Sequence, residues 1–125
     1  MRHIASNAIE ISVPDGAVGQ PIDRAHLTRM TLGDRSLERE VLQLFERQAE
    51  MLLERMNEVE AASVPALAHT LKGSARGIGA WNVARAAEAL ELADGAPAEF
   101  EAAKRELAST VATARAIITE LLRAH

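Results

Sequence analysis

His69, Lys72, Gly73 and Arg76 stand at i, i+3, i+4 and i+7, the spacing at which residues share one face of an α-helix. Of the four, the imidazole is the nucleophile. A histidine side chain is largely neutral near pH 7, and the neutral ring can attack phosphorus without an activating base. Lys72 and Arg76 put positive charge along the same ridge, where it could pair with the charge on a transferring phosphoryl group. A glycine inside a helix costs about 1 kcal/mol relative to alanine. Gly73, one turn from the histidine, therefore points to clearance for an approaching second protein. An inert reading uses the same residues: an exposed histidine, two solvated cations and a weak helix position. The residues alone leave both open.

The helix that must carry them can be traced on a wheel. With Val64 at zero and 100° per residue, Leu67, Ala68, Leu71, Ala75 and Ile78 gather on one side, which is the expected buried face. Lys72, Arg76, His69 and Gly73 fall on the other side and form an expected solvent-facing patch. Ser63 followed by Pro65 reads as the start of this helix, because proline is tolerated in a first turn where its missing N–H is no loss. Gly77 and Gly79 relax the chain near its end.

Four further helices are expected around it. Asp23 can cap a short one through Leu27 and Met30 that stops near Gly33. Asp34 or Ser36 opens a long one, with Leu37, Val41, Leu44, Phe45, Gln48, Leu52, Met56 and Val59 at spacings of three and four. Beyond Gly79 a helix runs through Val83, Ala87 and Leu90 to about Asp94-Gly95. Pro97 starts the last, which carries Phe100, Leu107, Val111, Ala114, Ile118 and Leu121. Residues 1–20 read as a loosely held arm with a short β-prone patch at Ile9, Ile11 and Val13, and residues 21–125 as one helical domain. The short connections favour antiparallel neighbours. The expected fold is all-α: an antiparallel up-and-down four-helix bundle with an extra short N-terminal helix.

Composition narrows the chemistry. The 125 residues suffice for one domain, with alanine and leucine dominating and only Trp81, Phe45 and Phe100 aromatic. The chain has no cysteine, so disulfides, thiolate metal sites and thiol nucleophiles are excluded. No apolar run approaches the ~20 residues that cross a bilayer. A net charge of -4, with acids and bases interleaved, does not make a nucleic-acid footprint. His3, His26, His69 and His125 show no ligand spacing, and the Glu-x-x-His pattern of a carboxylate-bridged metal site is missing, so no metal and no cofactor are expected. His26 is expected on the surface of the first helix, and Trp81 at a helix junction.

The segment Ala68-His69-Thr70-Leu71-Lys72-Gly73-Ser74-Ala75, continuing as Gly77-Ile78-Gly79-Ala80, resembles the signature of histidine phosphotransfer (HPt) domains. The likeness extends from about Ile22 to Leu122, taking in Gly33-Asp34 ahead of the Leu44-Phe45 helix and Leu90-Glu91 beyond the signature. It implies a four-helix bundle whose His69 relays a phosphoryl group between receiver-domain aspartates of response regulators, or from a hybrid sensor histidine kinase. By the same resemblance Lys72 assists at the phosphoryl group and Gly73 keeps the docking surface open, while the partner receiver holds the Mg²⁺. Arg76 and Arg85 are candidates for partner binding. Glu91, 22 residues past His69, stands where phosphotransfer domains of chemotaxis-type kinases place a glutamate bonded to the histidine, although a solvated charge at a helix end is the expectation here. A carrier without turnover of its own, cytoplasmic and monomeric, with no nucleic acid or membrane partner, follows from this reading. The alternative is a helical adaptor that binds a signalling partner and is never phosphorylated.

Overall fold

A computed structural model describes residues 19–93 and 96–124. The β-prone patch, the bulk of the expected arm, the Asp94-Gly95 break, His3 and His125 lie outside the described residues.

Two aspartates start the first two helices. Asp23 caps α1 (Arg24–Met30), its carboxylate accepting from the backbone N–H of His26 at 3.1 Å. Leu32 and Gly33 then take positive φ values of 56° and 74°, which turns the chain back on itself. Asp34, not Ser36, caps α2 (Arg35–Glu58) by accepting from the N–H of Leu37 at 3.0 Å. A 3₁₀ turn at Ala61–Ser63 leads into α3 (Val64–Ile78), with Pro65 in its first turn. Ser63 holds the N-cap position, but its side chain makes no capping bond. α3 ends at Gly79, whose φ of 80° lets its N–H and that of Ala80 close the last turn onto Ala75 and Arg76. α4 (Trp81–Leu92) and α5 (Pro97–Ala124) complete the described chain.

Helices α2 to α5 form the expected bundle, each packed on its sequence neighbour, with α2 closing the ring against α5. The α2–α5 pair is antiparallel. Arg39, near the start of α2, donates to the carbonyl of Leu122 at 2.9 Å, whereas Glu50, further along, meets Arg115, which is earlier in α5. The core is built from Leu42, Phe45, Leu52, Leu71, Leu90, Leu107 and Ile118, with Ala49, Ala68, Ala75, Ala84, Ala87 and Ala114 between them. These alanines let the helix axes approach. Each buried leucine stabilises the fold by about 1.5–3 kcal/mol relative to leaving it in water.

The buried stripe of α2 keeps Phe45, Leu52 and Met56 of the expected one and departs from it elsewhere. Leu42, Phe45, Ala49, Leu52 and Met56 face the core, while Leu37 and Leu44 are exposed and Val41 and Gln48 half-buried. The apolar residues of α2 are more numerous than one face can hold, so they satisfy two adjacent stripes. The neighbouring helices select between them.

At the far end of the bundle from the 3₁₀ turn, α1 is tied to the α3–α4 corner by Asp23. Its backbone N–H donates to the carbonyl of Gly79 at 2.9 Å, and its carboxylate accepts from the Trp81 indole N–H at 2.9 Å. Asp23 is 4% exposed, so these bonds are what make its burial tolerable. Burial raises its pKa, but the Trp81 and His26 N–H bonds, with the nearby charges of His26 and Arg29, outweigh that and set it below the usual aspartate value. His26 is not the surface residue expected. It is half-buried, edge-on to Trp81 with ring centroids 5.0 Å apart, because the Asp23 cap turns its first helical turn inward. Trp81 occupies the helix junction, as its size suggested.

Candidate functional site

The site lies where α3 and α4 run side by side. Only Gly79 and Ala80 separate the two helices, so α4 doubles back and its last turn passes the middle of α3. Glu91 is thereby brought to His69. Its Oε2 lies 2.8 Å from His69 Nδ1, and its Oε1 lies 2.8 Å from Lys72 Nζ. One carboxylate thus spans a histidine and a lysine that are one turn apart on the facing helix. The expectation of a solvated charge at position 91 is overturned by this contact, for a wheel drawn on one helix carries no information about its neighbour.

Burial grades sharply across the three groups. The His69 side chain is 67% exposed, Glu91 23% and Lys72 12%. Lys72 accordingly does not stand on an open patch with His69, as the wheel suggested. Its stem lies against α4 and its ammonium is held at the carboxylate. The ammonium of Lys72 is the largest influence on Glu91; against some desolvation, it and His69 together hold the carboxyl below its usual range. An ionised carboxylate only accepts, so the His69 nitrogen facing it must carry the proton. That assigns hydrogen to Nδ1 and leaves the lone pair on Nε2, which makes no hydrogen bond to the protein among the described residues.

The flank of α3 beside the histidine is kept low. Gly73 is exposed and Gly77 half-buried, and a Cβ built at either meets no heavy atom within 4 Å. Nothing inside the protein therefore requires glycine at either place. Arg76 is exposed, one turn beyond Lys72. Ser74 turns the other way and donates to Gln48 of α2 at 2.6 Å. Arg85 is not brought to this cluster: it bonds Asn82 at 2.6 Å and lines a cleft between α4 and α5 with Pro21 and Thr110. Among the described residues, no three His, Asp or Glu side chains are placed to hold a metal ion. Among them too, no helix is long and apolar enough to cross a membrane.

Fold and site together define a class: a helical bundle that displays one histidine on an open face, its inner nitrogen held by a carboxylate. The family model described as Hpt domain matches residues 40–123. The chain belongs to that family, whose work is phosphotransfer in two-component signalling, as carriers rather than classical enzymes, with receiver domains and kinases as counterparts. The match leaves out α1 and its Asp23 junction, which the sequence resemblance had included. No curated protein and no solved structure matches the chain.

Glu91 is the site residue that reading one helix at a time misses. The signal was its separation of 22 residues from His69, the rest of α3, a two-residue corner and nearly all of α4, which returns the chain to the same level of the bundle.

Proposed function

We propose that His69 carries the phosphoryl group, accepting it from the aspartyl phosphate of a response-regulator receiver domain, or from a hybrid sensor kinase, and passing it to a second receiver. The observation that carries this is the pairing of His69 Nδ1 with Glu91 on a ring that is 67% exposed.

The geometry suits the step. The Nε2 lone pair attacks phosphorus, the N–P bond forms, and the acyl P–O bond breaks with its electron pair leaving on the aspartate carboxylate. No proton has to move. The ring, protonated at Nδ1, gains positive charge as the bond forms, and the Glu91 carboxylate opposes that charge. Lys72, largely buried and held 2.8 Å from the same carboxylate, lies one turn away and adds positive charge behind the site where the phosphoryl group arrives. The remaining catalysis is positioning inside the protein–protein complex. The Mg²⁺ belongs to the receiver's side of that complex.

Docking surface is available on both sides of the exposed Gly73. Leu44 and Met51 on α2, 56% and 48% exposed, offer apolar contact, and Arg76 offers charge to an acidic receiver rim. Arg85, facing the α4–α5 cleft, is a less direct candidate.

The test is transfer from a panel of phosphorylated receiver domains to the wild type and to His69→Ala. Acid-labile, base-stable label on the wild type and none on the variant is the expected result. Full labelling of His69→Ala would sink the assignment, and binding of a partner without phosphorylation would favour the adaptor.

A further inference from the structure

A second feature opens one turn from His69, on the side away from the glycines. A pocket of about 400 Å³ is lined, among the described residues, by Ala61, Ala62, Pro65, Ala93, Pro97 and Phe100, with Glu101 the one charged residue among these. Pro65 precedes His69 by four residues on the same ridge of α3, about 6 Å along the axis. Ala93 follows Glu91 by two residues, and between them Leu92 is 70% exposed. An apolar pocket therefore lies along the ridge that carries the histidine, and an exposed leucine separates the carboxylate from that pocket in the sequence.

From this we infer that the pocket receives an apolar side chain of the receiver domain that docks over His69, with Leu92 packing beside it, and so helps determine which receivers exchange phosphate with this protein. The inference rests on the phosphoacceptor reading of His69. Its argument is geometric. A protein that brings an aspartyl phosphate to Nε2 covers roughly 800 Å² of this surface, a disc about 16 Å in radius. A pocket beginning about 6 Å from the centre of that disc lies inside it. Binding energy in such contacts concentrates in apolar anchors that fill pockets near the centre of the patch. The reacting groups are common to every receiver, so discrimination must come from the surroundings. The pocket is a concave apolar feature among those surroundings.

Two variants test this on the full chain. Ala62→Glu places a charge at the pocket from an exposed turn, and Leu92→Ala removes the adjacent apolar surface without touching the core. Transfer from phosphorylated receivers is measured against receiver concentration, beside labelling by phosphoramidate, a donor too small to use the pocket. The expected result is a rise of about tenfold in the receiver concentration giving half-maximal rate, equivalent to about 1.4 kcal/mol of docking energy, with the maximal rate and phosphoramidate labelling unchanged. The inference is overturned if every receiver active on the wild type serves both variants within twofold. It is overturned too if the wild type is labelled by phosphoramidate but by no receiver, or if Ala62→Glu leaves transfer intact and instead dissolves a self-dimer. Absence of wild-type labelling by any donor is a different failure, that of the phosphoacceptor reading itself.

Discussion

Glu91 holds His69 from the inside: its Oε2 sits 2.8 Å from the Nδ1 nitrogen, on a helix that reaches the histidine only because α4 reverses against α3. The contact fixes the tautomer, keeps the ring from rotating, and supplies a negative counterpart to the charge that the ring would acquire in the proposed phosphorylation. The same carboxylate restrains Lys72, so the three groups act as a unit.

Replacing Glu91 therefore loosens the whole arrangement. Glu91→Ala is expected to slow labelling of His69 by phosphoramidate about tenfold, within the range by which orienting partners act. Nitrogen chemical shifts of the His69 ring are expected to move from a single Nδ1–H tautomer toward a mixture. Because the folded Glu91 carboxyl sits below its ordinary value, the pairing is complete above that value and is lost only as pH falls through the lowered one. The carbon-13 shift of the Glu91 carboxyl followed against pH checks this: titration within or above the usual glutamate range would contradict it.

Gly73 and Gly79 make opposite predictions from the same residue type. Gly73 lies in regular helix with space where a Cβ would go. Gly73→Ala is thus expected to raise stability by about 0.5–1 kcal/mol, to leave phosphoramidate labelling unchanged, and to slow receiver transfer several-fold. A thermal melt beside both transfer assays separates clearance from mere helix weakness.

At Gly79 φ is +80° and a Cβ would lie 2.9 Å from the Asp23 carbonyl oxygen. Gly79→Ala is expected to cost more than about 1–2 kcal/mol, from the left-handed backbone alone. Urea unfolding measures it. The Trp81 indole, bonded to Asp23, should report the loosened junction as a shift in fluorescence.

Asp23 joins α1 to the bundle through a cap and a buried bond. Asp23→Ala removes the N-cap and leaves the Trp81 indole N–H without its acceptor, an expected loss of about 2–4 kcal/mol. The folded pKa is depressed, so this stabilisation is fully present above the ordinary aspartate value and disappears as pH drops through the lower folded one. Stability of the wild type should converge on that of Asp23→Ala only at strongly acid pH.

Much of the molecule was legible from residue order because local signals and tertiary packing agree. Asp23, Asp34, Pro65, Gly79 and Pro97 mark helix starts and stops by their own stereochemistry. The signature around His69 names the carrying helix. Contacts that depend on two helices at once were not legible in this way. Leu44 and Leu42 both fit an amphipathic pattern, and only α3 and α5 select Leu42 for the core. Lys72 looked solvated until α4 supplied Glu91, and His26 looked exposed until Trp81 packed on it. The family match to residues 40–123 likewise gives the bundle without the α1 junction.

The central claim is that the phosphoryl group resides on Nε2 of His69, with Nδ1 protonated against Glu91. Nitrogen-15 spectra of the phosphoramidate-treated protein, read for coupling to phosphorus-31, test it directly. The account predicts phosphorus coupling to Nε2 of His69 and a retained proton on Nδ1. Coupling to Nδ1, or to a nitrogen of any other residue, would contradict it.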